Sequence, residues 1–228
     1  MKKKTIKTLA TIVTAAVIFL GSYFYQGNQD DLSPDTNAPI TSESSKKQGS
    51  ISTFPDSILK AEIEGIVPFG YINAKVTKIT DGDTLRIEYN NQEYKVRLLD
   101  IDTPESVKAG VEPQPFSEEA SNLTKEKLTD EEVKLIFEKD TTDQYDRLLA
   151  HIVLKDGTYY NAMMVQNGYA ISVFYSPNTL LKDYFTELQN KAIEENKGFW
   201  QFPEDERPFI KNSDGKFVAA YKMKKEAA

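Results

Sequence analysis

The chain has 228 residues, 39% of them hydrophobic and 28% charged, which is enough apolar material for a core and room for one medium or two small domains. It has no cysteine and a single histidine, His151, which excludes disulfide scaffolds, thiolate metal sites, cysteine nucleophiles and multi-histidine centres. Any metal is then to be held by oxygen, favouring Ca²⁺, Mg²⁺ or Mn²⁺, and a formal charge of −7 makes the chain a poor general binder of polyanions.

Residues 1–25 read as a signal peptide or N-terminal membrane anchor. Lys2, Lys3, Lys4 and Lys7 precede an apolar run from Leu9 through Leu20 that continues to Tyr25. Residues 8–25 approach the length of about 20 residues needed to span a bilayer. Cleaved or retained, this segment predicts an extracytoplasmic protein, secreted or held on the outer face of the membrane. The segment carries four lysines and no acid, so the remainder has a net charge of −11. Residues 26–66, rich in Asn, Asp, Ser, Thr, Gln and Pro, read as a flexible spacer.

A domain is predicted over 67–203. Tyr71 to Thr80 carries Ile72, Val76 and Ile79 and reads as a strand. Leu85, Ile87 and Tyr89 alternate with polar residues up to Asn90-Asn91, and Tyr94, Val96 and Leu98 follow at period two, the pattern of a hairpin. Phe116 to Lys127, after Pro115, reads as a helix. Val133 to Phe137 and Leu148 to Leu154 make a fourth and a fifth strand. Tyr159 to Asn167 is a short helix closed by Gly168, and Ile171 to Tyr175 is extended. A long amphipathic helix follows Ser176-Pro177-Asn178 and runs to Lys197, before Gly198. The fold class is α+β dominated by β, a five-stranded OB-fold barrel with about three helices. Residues 204–228 form a C-terminal extension, in which Phe209-Ile210 and Phe217-Val218 suggest a small hairpin and the lysines an exposed tail.

Two acidic clusters stand out, Asp81-Gly82-Asp83-Thr84 and Asp102-Thr103-Pro104-Glu105, with Arg97 between them. Carboxylates so placed can hold a hard cation, and an arginine can hold the anion that the cation activates, which points to metal-assisted attack on a phosphodiester. Each piece alone has a plainer reading: a solvated turn, a helix-start signal before proline, a surface ion pair worth little. Those readings hold one at a time and are poor jointly, since the motifs fall in the order of a family that the chain resembles. His151, within a strand, and Phe199 and Trp200 read as structural, and Asp100 adds a further acid near the clusters.

From about Ala74 to Trp200 the chain resembles the staphylococcal nuclease (thermonuclease) family. The resemblance rests on Ile79-Thr80-Asp81-Gly82-Asp83-Thr84, on Arg97-Leu98-Leu99-Asp100-Ile101-Asp102-Thr103-Pro104-Glu105, and on Asp143-Gln144-Tyr145-Asp146-Arg147. Asn167-Gly168-Tyr169-Ala170, Tyr175-Ser176-Pro177-Asn178 and Gly198-Phe199-Trp200 extend it. It implies Ca²⁺ as cofactor, with Asp83, Asp102 and the Thr103 carbonyl as ligands. Arg97 and Arg147 are then the residues that grip the phosphate, Glu105 handles the attacking water, and Tyr145 and Tyr175 contact the substrate. The implied activity is a nuclease that hydrolyses DNA, with RNA as a second substrate, shows little sequence preference and leaves 3′-phosphate ends; a monomer is expected.

The chain also departs from the family pattern. Val173 stands where the archetype has a tyrosine, Gln144 where it has a lysine, and Asp146 replaces a glycine. The loop Ser106 to Pro115 is short and holds only Lys108. All four changes remove basic or aromatic substrate contacts and leave the metal and arginine set whole. One rival reading is a catalytically weak OB-fold module that only binds nucleic acid; a Ca²⁺-binding surface adhesin is another. The complete set Asp83, Arg97, Asp102, Glu105 and Arg147 favours the enzyme.

Overall fold

The computed structural model describes residues 60–226. The predicted export segment and nearly all of the predicted spacer lie outside them. Five strands close a barrel: β1 (Tyr71–Ile79), β2 (Thr84–Tyr89) and β3 (Gln92–Leu98), then, after the two-residue β4 (Ile101–Asp102), β5 (Glu132–Ile136) and β6 (Leu148–Val153). The order around the barrel is β1-β2-β3-β6-β5, with β1 also paired to β5. Every pairing is antiparallel except β3 with β6, where Val96 faces Leu148 and Arg97 faces Leu149 in parallel register.

The alternation that marks the strands also fills the barrel. Ile72, Ala74 and Val76 of β1, Leu85 and Ile87 of β2, Val96 and Leu98 of β3, and Leu148, Ala150 and Ile152 of β6 are all buried. Side chains of this size contribute roughly 1.5–3 kcal/mol each when removed from water. Asn90 and Asn91 both adopt positive φ, 52° and 60°, the backbone a two-residue hairpin turn demands and one that asparagine tolerates.

Helix α1 (Ser117–Leu128) starts one residue later than its sequence suggests. Phe116 sits at φ 65° and turns its ring onto Tyr169, Phe199 and Phe202. Helix α2 (Tyr160–Gln166) leads through Gly168 to β7 (Ile171–Ser172), which pairs with β4, so only two residues of the predicted 171–175 run lie in a ladder. Helix α3 (Lys182–Glu194) is shorter than predicted at both ends. Glu195 caps it and Asn196 turns to φ 50°, stopping the helix before Gly198. There the backbones of Gly168 and Gly198 meet: the Phe199 N–H donates to the Gly168 carbonyl at 3.0 Å. A Cβ on Gly198 would lie 2.1 Å from that carbonyl oxygen.

The extension is ordered structure. Strands β8 (Phe209–Lys211) and β9 (Phe217–Ala219) form the expected hairpin, and α4 (Ala220–Glu226) follows. Phe209 and Ala219 are buried in a second apolar cluster with Ile171, Ala192, Phe199 and Trp200. Among the described residues no helix is long and apolar enough to cross a membrane; residues 8–25 are not among them.

Candidate active site

The two acidic clusters meet because β2 begins at Thr84 and β4 ends at Asp102, on either side of the β3 end that carries Arg97. The Asp83 carboxylate is buried. One of its oxygens accepts from the Thr103 N–H at 2.8 Å and the Thr103 hydroxyl at 3.0 Å. The other accepts from the Thr84 hydroxyl at 3.1 Å and lies 3.3 Å from Arg97 Nε. Asp81 shapes the turn, accepting the Asp83 N–H at 3.1 Å.

Arg97 organises the rest. It donates to the carbonyls of Leu98 and Ile101 at 2.7 and 2.8 Å and to Asp102 Oδ1 at 3.0 Å. One guanidinium therefore touches Asp83 and Asp102 and clasps the tight β3–β4 connection between them. Burial works against its charge, yet Asp83, Asp102, Asp81 and Tyr175 around it outweigh burial and raise its pKa. It stays cationic.

Two supports carry no sequence motif. Thr124 of α1 donates to the Gly82 carbonyl at 3.0 Å and accepts from Tyr160 OH at 2.9 Å, tying the turn to both helices. Gly82 itself must lack a side chain, since a Cβ there would lie 2.7 Å from Thr103 Oγ1. Gln114, buried, accepts the Glu105 N–H through Oε1 at 2.9 Å, and its own N–H donates back to the Glu105 carbonyl at 2.9 Å. A lone threonine or glutamine has no signature that reveals such a role.

Arg147 lies two residues before Leu149, the partner of Arg97 across the β3–β6 seam. It precedes β6 and is held by Asp143, with Nε and an Nη at 2.8 and 2.7 Å from Oδ2 and its N–H 3.0 Å from Oδ1. Its guanidinium lies 5.6 Å from the Tyr145 ring centroid. No hydrogen bond or ion pair joins Arg147 or Tyr145 to Asp83 or Asp102. Tyr145 and Tyr175 are 67% and 74% exposed.

Asp100 corrects an expectation. Both its carboxylate oxygens are buried and without a hydrogen-bond partner, and it faces Glu138 and His151 instead of the acidic clusters. Those three are, among the described residues, the one group of three potential metal-holding side chains with ligand atoms within 4.8 Å. His151 Nε2 lies 3.1 Å from Glu138 Oε1, and its Nδ1 lies 2.6 Å from Tyr159 OH. The histidine is structural, as read from the sequence, and so are Phe199 and Trp200, both fully buried.

The donor set at the clusters fits a hard divalent cation. Burial, with Asp83 alongside, pushes Asp81 up to about 7 and Asp102 up to about 6. Asp81, Asp83, Asp102 and Glu105 together exceed what one arginine balances, and all offer oxygen.

Residues 95–202 match the Staphylococcal nuclease homologue family. The thermonuclease of Staphylococcus intermedius is 35% identical over 126 residues, which span 55% of this chain and 74% of that protein. This chain is a member of the staphylococcal nuclease family. Staphylococcal nuclease relatives outside that genus extend further along it. The endonuclease YncB of Bacillus subtilis is 29% identical over 208 residues, 88% of this chain and 92% of its own length. The SPbeta prophage-derived endonuclease YokF of the same organism is 34% identical over 131 residues, 57% of this chain and 44% of that protein. Like them, this member of the staphylococcal nuclease family is a nuclease, an enzyme that hydrolyses phosphodiester bonds in nucleic acid, and its barrel is the OB-type fold that the strand order predicts.

Proposed function

We propose that this nuclease is an extracytoplasmic, Ca²⁺-dependent endonuclease that cleaves DNA, and RNA as a second substrate, with little sequence preference. It works as a monomer, with its catalytic domain over 67–203 and residues 1–25 as the export signal or anchor. The observation that carries the reading is Arg97 bridging Asp83 and Asp102 within a cluster of four carboxylates, of which Asp83 is buried and Asp81, Asp102 and Glu105 are half-buried. That arrangement leaves the two aspartates, with the Thr103 carbonyl, as the seat for the cation. The ion would polarise the substrate phosphate and neutralise charge building on it.

The protein residues supply the remaining chemistry. On giving up the carboxylates that hold them in the free protein, Asp83 and Asp102 for Arg97 and Asp143 for Arg147, the two arginines would offer forked donors that match two phosphate oxygens and tighten as charge accumulates in the transition state. Glu105 accepts a proton from the attacking water, whose oxygen bonds to phosphorus as the bond to the 5′ oxygen breaks. The 5′ oxygen leaves as a hydroxyl after gaining a proton, and the phosphate stays on the 3′ end. Tyr145 and Tyr175 stack on bases without reading their edges, which suits indifference to sequence. The basic start and apolar run of residues 2–25 support placement outside the cytoplasm.

The test is a cleavage assay on single- and double-stranded DNA and RNA with Ca²⁺ or with EDTA, and analysis of the product ends. Cleavage in Ca²⁺ that EDTA abolishes, with 3′-phosphate products, is expected. Equal rates in EDTA would sink the metal role, and 5′-phosphate products would sink the direction of cleavage.

A further inference from the structure

The C-terminal extension packs on two sides. Its apolar side is fixed to the body by Phe209 and Ala219, and Arg207 donates to the carbonyls of Phe202 and Trp200 at 2.9 and 3.0 Å. Its other side meets the loop that follows Glu105. The Pro208 carbonyl accepts the Gln114 side-chain amide at 2.6 Å and the Ala220 N–H at 2.8 Å. Since Gln114 also holds the Glu105 backbone, one glutamine side chain links the extension to the residue proposed to handle water. Lys108 Nζ donates to Tyr221 OH at 3.1 Å, a second tie between loop and extension.

Between loop and extension lies a cleft of about 1300 Å³. Its charges are divided. Glu112, Asp205 and Glu206 line it together with Arg207, which is committed to its two carbonyls. Lys108 and Lys222 also line it, and both ammonium groups lie within electrostatic reach of Asp102. The two ammonium groups share one neighbour, lying 5.4 and 6.0 Å from the centroid of the Tyr221 ring. Lys222 and Lys108 are both exposed. The extension 204–228 holds six basic and five acidic side chains, with five of the six basic ones after Pro208, and the loop 106–115 brings one lysine of its own.

We propose that the extension is a working part of the nuclease site: Pro208 steadies the Glu105 loop through Gln114, and Lys222 joins Lys108 as a two-ammonium seat for a substrate phosphate neighbouring the one cleaved. This rests on the nuclease reading of the Glu105 site. The ligand class is a polynucleotide strand, met through its backbone charge and not its bases. Gln114 is a positioning residue, acting only through Glu105.

The experiment uses the full chain. In a Glu105→Gln background, which slows turnover, binding of a fluorescent single-stranded oligonucleotide is followed by anisotropy in Ca²⁺ across a salt series. Lys222→Gln and Lys108→Gln are each expected to weaken binding about fivefold at low salt and to lower the slope of log K against log salt by about 0.7, the loss of one phosphate contact on a single strand. Lys222→Arg keeps both values. With Glu105 intact, the lysine variants raise KM and leave kcat, whereas Gln114→Ala lowers kcat about tenfold with KM and melting temperature held. Unchanged affinity and slope in the double lysine variant would overturn the phosphate seat. An unchanged kcat in Gln114→Ala, or a loss that only follows melting temperature, would overturn the positioning role. Absence of cleavage by the unmodified protein would count against the nuclease reading alone, since the binding series still decides the lysines.

Discussion

At the scale of single residues, Arg97 joins Asp83, Asp102 and the β3–β4 connection in the free protein, and under the proposed function it also offers a fork to phosphate. Arg97→Lys keeps the charge but loses the paired donors to Leu98, Ile101 and Asp102, and kcat is expected to fall at least about 10²-fold. Glu105→Gln should lower kcat roughly 10²- to 10⁴-fold while the melting temperature stays put. Asp100 invites the opposite kind of change. Its buried carboxylate has no donor, and burial with Glu138 nearby pushes it up to about 8. Asp100→Asn removes that desolvation cost, and asparagine accepts the φ of 62°; a gain of about 2 kcal/mol by urea unfolding at pH 7.5 is expected. His151 is the single histidine, so its imidazole signal in an NMR titration is unambiguous. Burial outweighs the Glu138 contact and lowers its pKa, so the unfolded chain takes up a proton before the folded one. The contribution of His151 to stability is therefore level above about pH 6.5 and declines below it, by at most about 1.4 kcal/mol per pH unit, until the depressed folded pKa is passed, whereas the raised carboxyls of Asp100, Asp81 and Asp102 act in the opposite direction. A midpoint above 6.5 would contradict this. Asp83, Asp102 and Arg97 were legible from the sequence because carboxylates flanking an arginine at strand ends have few other uses in combination. The direction Asp100 faces was not, since a positive φ at a non-glycine residue reverses a side chain without altering the letter code.

Among the elements, the barrel strands were legible because their buried faces alternate at period two, and Asn90-Asn91 marked the hairpin. Element ends were less so. Helix α1 starts after Phe116 because an aromatic cluster captures that ring, a tertiary effect that local propensity does not contain. The contacts of Gln114 and Thr124 were equally hidden, since each forms across distant parts of the chain. The hairpin of the extension was legible from its paired apolar residues, whereas its packing into the second core was not. Gly198 shows how tightly two elements can be joined. It has φ 53° and leaves no space for a Cβ against Gly168, so Gly198→Ala must strain the turn and part the two backbones. A loss of about 3 kcal/mol or more is expected in thermal unfolding, and a variant within about 0.5 kcal/mol of the parent would show the junction to be pliable.

For the whole molecule, the residues after the N-terminal segment carry −11, so substrate capture depends on local cations set into an acidic body and weakens with salt. The parallel seam between β3 and β6 has a consequence for time as well as for space. Arg97 lies within it and Arg147 immediately before it, and Val96 meets Leu148 only after about fifty intervening residues have been looped out. Pairings so distant in sequence form late. Cleavage during refolding should thus appear with the slowest structural phase and not with the early β2–β3 hairpin, which stopped-flow fluorescence beside a quenched-oligonucleotide assay can check. Until that seam closes the two arginines have no common frame, so under the proposed function a chain still unfolded is expected to be silent toward nucleic acid.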